Sequence, residues 1–513
     1  MNKKNRIYNS LLNLVTGFGT RIILMVLAFV VRTVFIKTLG EEYLGINGLY
    51  SNILNMLSLS ELGFGTAMVF SMYKPLAEND YEKLSQLMKL YKKVYSIIGT
   101  VILVLGLSLV PFLDLLIKNK PDIDGLTFYY ILFLLNTVIS YWFFAYRNAI
   151  LQADQRSYVI NNYQTTFNLL RSVLQIVLLV CFKSFTIYLL TQMICTIGQN
   201  IALAIKVKRT YPVFNNEYKS SLPKAEKKKI FSDVKALMLQ KISFTVLNSS
   251  DSLIISAFVG INWVGLLSNF IMIEEAVTGV LCQITSSVSA SIGNYFSIES
   301  KENGYHLFKR IYFINYWFYG FSSVALFTLL NPFVEIWLGK DFVISKALVF
   351  ALVMRFLMAG YMNTLSTFRS ALGLFVQGKY LPLLVALINI VLSIGLSYPL
   401  GAFGVLIATP ITRLVINAWH TPYVVHKYGF NKSVKSFYVK CIFEVSLILL
   451  LMFGMMELSN IIFEGGVTIL NFAFMVVLTA IIPNVIIILI FGRTNEFKYF
   501  VRVAKGMLKK IHR

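Results

Sequence analysis

Long apolar runs separated by short polar connections fill almost the whole chain. A helix needs about 20 predominantly apolar residues to cross a bilayer, and windows of that length place spans near residues 10–38, 44–73, 91–117, 125–148, 158–182, 185–206, 230–258, 264–293, 309–331, 345–370, 380–399, 402–425, 440–462 and 466–491. The expected fold class is an all-α polytopic membrane protein with 14 transmembrane helices. Polar positions inside several of these runs recur at helical spacing. In 158–182, Gln164, Asn168, Arg171 and Gln175 follow at intervals of four, three and four, which gathers them into one seam. Ser51, Asn55, Ser58 and Glu61 form a similar stripe, as do Lys241, Thr245, Asn248 and Ser252. Polar groups at that depth face protein or water rather than lipid, so a shared aqueous cavity is expected.

Composition agrees: of 513 residues 57% are hydrophobic and 14% charged, with mean hydropathy +0.69. Most of the 47 Lys and Arg fall in the connections on the side of the two termini, which by the positive-inside rule makes both termini cytoplasmic. Basic loops beside anionic headgroups account for much of the +23 net charge, so no nucleic-acid partner is implied. The first apolar run is too long for a signal peptide, contains Arg21 and lacks a small-residue cleavage pattern, so it is expected to remain as the first helix. Cys181, Cys195, Cys282 and Cys441 have no metal-ligand spacing and read as small core hydrophobes. No metal or cofactor is expected.

The chain also repeats. "YRNAILQADQRSY" at 146–158 matches "FRSALGLFVQGKY" at 368–380 at an offset of 222, and "LGEEYLG" at 39–45 matches "VGINWVG" at 259–265 at an offset of 220. The second offset sets Arg21 against Lys241. Two six-helix lobes, pseudo-symmetric and of the same orientation, are therefore expected at 1–225 and 226–430, joined by the basic, proline-containing connection 207–229. Residues 431–513 carry the two extra C-terminal helices and a basic cytoplasmic tail. Substrate sites in repeat-built transporters lie between the repeats near midplane.

An isolated charge at the bilayer centre costs about 2.5–3.5 kcal/mol even on insertion scales, so it meets a partner or water. Arg21, Arg32, Arg171, Lys241, Arg355 and Arg413 are the intramembrane cations, and with Asn168, Gln164, Gln175 and Asn248 they form the candidate substrate-binding set. Glu61, Asp251, Glu274 and Glu275 are candidates for ion coupling or gating. Two readings stand for several of these. Arg32 either faces the cavity or snorkels to the interface, Arg355 and Arg413 either meet substrate or pair with Glu274 or Glu275, and Lys241 is either central to the cavity or paired with Asp251. Glu444 is read as snorkelling, and Arg147 and Arg369 as positive-inside charges. Guanidinium and ammonium groups suit phosphate oxygens, and amides and hydroxyls suit sugars, so the chemistry points to a large amphiphilic anion.

These features, with the "LGEEYLGINGLYSNILNMLSLSELGFGTAMVF" and "AILQADQRSYVI" stretches, resemble the polysaccharide exporter branch of the multidrug/oligosaccharidyl-lipid/polysaccharide superfamily, the Wzx-type flippases. The resemblance covers essentially the whole chain. It implies a two-lobed transporter of the bacterial cytoplasmic membrane that moves undecaprenyl-diphosphate-linked oligosaccharide repeat units to the outer leaflet for capsule or related polysaccharide. It also implies alternating access, coupling to an H+ or Na+ gradient, and association with membrane lipids and other polysaccharide-assembly membrane proteins. The lobes would rock about 207–229, with Arg21 and Lys241 exchanging partners between substrate phosphate and Glu61, Asp251 or Glu274. A drug or metabolite antiporter of the same fold is the alternative, though it would favour an acid-dominated pocket. A glycan polymerase or ligase would need substantial external loops, which are not expected here, nor is enzyme activity.

The topology is checked by impermeant maleimide labelling in a background with the four cysteines replaced by serine. Lys183→Cys is expected to react in intact cells, and Lys227→Cys only after permeabilisation; the opposite pattern would invert the protein.

Overall fold

The computed structural model describes residues 23–58, 64–118, 121–154, 156–211, 222–298, 301–374, 377–378 and 380–502. Among these residues the regular structure is helical and no strand occurs. Among the described residues, nine helices are long and apolar enough to cross a membrane, or ten if Leu126–Trp142 and Ala145–Ala153, bent by 43°, form one broken span. The chain divides into two compact units, Met1–Ser268 and Asn269–Arg513. The division into six-helix repeats is a separate matter of symmetry.

In the first unit, α1 (23–39) leads into α2 (Glu41–Leu57), α3 (Phe64–Ala77) and α4 (Tyr81–Ser108). Then come α5 (Leu126–Trp142), the short α6 (Asn148–Ala153), α7 (Ser157–Phe182), α8 (Phe185–Thr210) and α9 (Lys224–Ile254). Neighbours in sequence pack as pairs, α4 on α5 and α7 on α8, while α9 packs back on α2. The buried core here is largely aromatic and aliphatic, with Tyr50, Tyr130, Phe133 and Phe185 meeting edge to face or tilted. The phenols of Tyr50 and Tyr130 reach backbone carbonyls of Leu126 and Gly106, so burial leaves neither hydroxyl unsatisfied.

The two repeated glycine motifs meet in this unit. Gly40 and Gly260 end the preceding chain segments with φ of 91° and 146°, a backbone region that a Cβ disfavours, and each releases the chain into a new helix. One turn later α2 and α10 (Ile261–Ile298) touch. A Cβ on Gly45 would lie 2.7 Å from the Ile261 carbonyl, and one on Gly265 would lie 2.8 Å from the Glu41 carbonyl and 3.0 Å from the Gly45 nitrogen. The start of each helix thus fits against the matching turn of the other, as small residues permit in membrane helices. The connection before Gly260 is held as well. Lys118 N donates to the Ser256 carbonyl at 3.1 Å, Ser256 Oγ to Leu116 O at 2.6 Å, and Lys118 Nζ to Phe258 O at 2.5 Å. These ties explain why the compact unit continues to residue 268.

In the second unit, α11 (Lys301–Leu338) is central, packed by α12 (Lys346–Ala371), α15 (Lys435–Ile462) and α16 (Ile469–Phe491). The apolar run Leu381–Phe430, expected as two spans, is one 50-residue stretch by composition. Backbone geometry breaks it at Gly401 (φ 57°, ψ −138°) inside α13 (Leu381–Thr412). The chain folds back there: Asn389 Nδ2 donates to Thr409 Oγ1 at 3.0 Å, and Gly404 sits against the Leu396 carbonyl. A second helical stretch, α14 (Ala418–Val424), follows, and α17 (495–502) comes after α16.

Gly265→Ala is expected to cost about 1–3 kcal/mol through overpacking and to lower the Tm of the purified protein. Gly395→Ala, whose Cβ would meet nothing within 4 Å, is the control and leaves Tm unchanged or raised.

Candidate functional site

Helices α1, α2, α7 and α8 enclose a pocket of about 380 Å³ in the first unit. Arg32 comes from α1, Asn47 and Ser51 from α2, Asn168, Arg171 and Gln175 from α7, and Tyr188 and Gln192 from α8. The α7 seam is there because residues spaced three and four apart share one helical face. The opposite face is apolar and outward, with Val173, Val177 and Val180 exposed. Arg32 donates through Nη1 to Ser268 Oγ at 3.2 Å and through Nη2 to the Ser268 carbonyl at 3.5 Å, which aims its guanidinium away from lipid. Gln175, 3% exposed, donates to the Tyr188 carbonyl at 3.3 Å and locks α7 to α8. The described lining carries two guanidiniums, seven amide or hydroxyl side chains from α2, α7 and α8 that bear on the same space, and no carboxylate.

Four of the expected binding residues, Arg32, Asn168, Arg171 and Gln175, are therefore brought together. Gln164 is exposed and lies outside the lining. Arg21 and Glu61 lie outside the described residues, as do the side chains of Lys241 and Asn248, although both of the latter sit in α9. Asp251 is buried in α9, and one turn of helix away from Asn248 the Ser252 hydroxyl accepts from Asn52 Nδ2 at 3.1 Å, tying α9 to α2. Asn47, Ser51, Ser172, Tyr188 and Gln192 also line the pocket, beyond the candidate set. Ser51 belonged to a recognised stripe, but no periodic signal in α8 distinguishes Gln192.

The second unit arranges its charges differently. Arg355 Nη2 on α12 lies 2.5 Å from Glu274 Oε2 on α10, both side chains nearly buried at 12% and 13% exposure, and Arg413 Nη1 donates to the Arg355 carbonyl at 3.3 Å. The paired reading holds for Arg355, while Glu275, next to Glu274, is exposed. Glu444 does not snorkel. It is 1% exposed, accepts from the Tyr312 hydroxyl at 3.1 Å and stands 3.6 Å from Lys440, because α15 turns this face into α11 instead of lipid. Arg147 and Arg369, the repeated arginines, donate to backbone carbonyls, Arg147 to Ala204 within α8 and Arg369 to Leu374 and Gln377 in the turn after α12. Besides carrying positive charge, Arg147 ties its segment to α8 and Arg369 clamps the turn where α12 ends. At the same end of the first unit Tyr211 O–H donates to Asp154 Oδ2 at 2.6 Å, and burial together with that carboxylate pushes the phenol above its usual range.

Residues 10–292 match the sequence pattern of the family described as polysaccharide biosynthesis protein. The chain belongs to that family. The membrane protein EpsK of Bacillus subtilis, described as uncharacterized, is 24% identical over 440 residues, which cover 81% of this chain and 83% of EpsK. Among solved structures, the lipid II flippase MurJ in an inward closed conformation superposes with a TM-score of 0.66 at 18% identity, covering 95% of this chain and 99% of MurJ. An inward-facing multidrug resistance MATE transporter of the MOP superfamily gives 0.60 at 15% identity, covering 81% of this chain and 98% of the other. This polysaccharide biosynthesis family member is thus a multi-pass membrane protein that shares the fold of the MurJ flippase and the MATE transporter, the fold that the sequence resemblance implied.

Removing one partner of a buried ion pair strands the other charge. Arg355→Leu is therefore expected to destabilise the protein by about 3–5 kcal/mol, and Arg355→Leu with Glu274→Leu to recover most of that, read as Tm of the solubilised variants.

Proposed function

We propose that this protein moves undecaprenyl-diphosphate-linked oligosaccharide repeat units from the inner to the outer leaflet of the bacterial cytoplasmic membrane, by alternating access, for surface polysaccharide such as capsule. The observation that supports this reading most directly is the pocket in which Arg32 and Arg171 face amides and hydroxyls with no carboxylate in the described lining. Guanidiniums bind diphosphate oxygens in a planar, charge-assisted way. Asn47, Ser51, Asn168 and Gln192 offer the mixed donors and acceptors that sugar hydroxyls need. Arg21 and Lys241 extend this set in the proposal. Gradient coupling by H+ or Na+ is assigned to Asp251, Glu61 or Glu275. Glu274 serves only if its pair with Arg355 opens, because a paired carboxylate is a poor proton carrier.

A drug antiporter of the same fold is the competing reading, favoured by likeness to the multidrug transporter. A cationic drug would face two arginines and no acid in the described lining, so the anionic substrate is preferred.

The experiment uses a strain lacking the corresponding gene, complemented with the wild-type chain, Arg171→Ala or Arg32→Ala. The leaflet of the lipid-linked oligosaccharide and the amount of surface polysaccharide are measured together. Wild type is expected to release units trapped on the inner leaflet, and each variant to lower the flipping rate about tenfold or more at equal protein level, the scale of a lost hydrogen bond to a charged group. Normal arrival of single units in the deletion strain, with only polymerisation failing, would replace the flippase reading with a polymerase.

A further inference from the structure

A second cationic pocket lies in the second unit, far in sequence from the residues discussed above. It has a volume of about 370 Å³ and is walled by the first turns of α11 and by α17. His306, Lys309 and Arg310 contribute from α11, and Lys498, Tyr499 and Arg502 from α17, with Glu496 the single acid and Asn495 at the edge.

Three features set it apart from an ordinary basic loop. The first is rigid framing. Trp317 stacks on Phe497 at 5.5 Å between centroids and meets Phe500 at 5.4 Å, while its indole Nε1 donates to Asn484 Oδ1 on α16 at 2.7 Å. The apolar side of α17 is thereby seated on α11, and its basic side is left outward, the pattern of a helix lying in the membrane interface. Trp, Tyr and long basic side chains favour that depth. The second feature is the state of the charges. Neighbouring bases have acids beside them, as Lys432 has Glu302 at 2.7 Å. Lys309, Arg310, Lys498 and Arg502 have no carboxylate within 4 Å among the described residues. Lys309 and Arg310 are instead held over aromatic rings, Lys309 over Tyr305 at 5.0 Å and Arg310 over Tyr499 at 4.3 Å. A ring fixes a cation in place without consuming its hydrogen-bond donors. The third is convergence: donors from two helices border one space large enough for a phosphate group, which Arg and Lys bind as a fork and a point charge respectively.

We propose that this pocket binds the phosphate of an anionic phospholipid headgroup in the leaflet on the side of the termini. The headgroup would sit between α11 and α17 with its phosphate against Arg310, Lys498 and Arg502, its acyl chains passing outward along the apolar helices. Bound lipid would hold α17 on α11 and complete the charge balance of that end of the unit.

The test uses the purified full-length protein in detergent with equimolar phosphatidylglycerol and phosphatidylcholine, and native mass spectrometry reads the lipid retained. The wild-type protein is expected to retain phosphatidylglycerol over phosphatidylcholine by at least fivefold. Lys498→Gln with Arg502→Gln, both exposed positions, should bring that preference to near parity, since each basic group near the surface contributes about 1 kcal/mol, or about fivefold, and Arg310→Gln should lower it as well. Lys89→Gln with Lys92→Gln on α4 removes the same charge elsewhere and should leave the preference intact. Equal retention of the two lipids by wild type, wild-type preference in both pocket variants, or an equal loss in the α4 variant would overturn the site. Displacement of phosphatidylglycerol by millimolar inorganic phosphate would overturn the assignment to a lipid, since a soluble oxyanion would then be the ligand.

Discussion

Two carbonyl groups and two glycines fix the geometry on which the first unit depends. Gly45 lies under the Ile261 carbonyl and Gly265 under the Glu41 carbonyl, so the first turns of α2 and α10 lock reciprocally. Van der Waals packing has to supply association in a bilayer, where lipid tails are as apolar as leucine and burial of apolar surface gains little. A backbone-to-backbone approach of this kind is open only to residues without a Cβ. Once it is made, Arg32 on α1 comes within reach of Ser268 on α10, and the Lys118–Ser256 ties close over the preceding turn. The motif that repeats in sequence is thus the motif that touches its own copy in space.

The pocket follows from how α7 is shared between two environments. One face is apolar and outward, and the other holds Asn168, Arg171 and Gln175 against α1, α2 and α8. Gln175 secures the helix to α8 through the Tyr188 carbonyl, which leaves Arg171 as a cation whose surroundings are amides, hydroxyls and a second arginine. Two like charges sharing a small space repel, and they lower their energy together when an anion enters. A diphosphate does this with more negative charge than a carboxylate, which is the electrostatic link between the pocket and the proposed substrate.

Charges in the second unit are mostly committed to one another. Arg355 and Glu274 form a nearly buried pair with Arg413 behind it, and Glu444 is enclosed by Tyr312, Lys440 and the helix packing of α11 and α15. Desolvation makes an unpaired charge costly at such positions, so the fold supplies a partner at each. Beside α17 the balance differs: aromatic rings position the cations and leave their donors available.

The sequence by itself determined the class of the protein. Apolar run length specifies membrane helices whatever their arrangement, because a bilayer admits few other backbones. The spacing of Asn168, Arg171 and Gln175 specifies a shared face because the helical period is local. The glycine repeat was equally legible, since covalent chemistry alone singles out a residue without a side chain. Partnerships across the fold were not. Glu444 and Glu275 are both acids within apolar runs, yet one is enclosed and the other exposed. Arg32 and Arg355 are both intramembrane arginines, yet one lines a pocket and the other pairs with Glu274. Each outcome depends on which helix lies opposite, and helical periodicity gives the direction of a face without naming its neighbour. Only tertiary packing, set by close approaches such as Gly45 on Gly265, decided which charges remain available for a ligand.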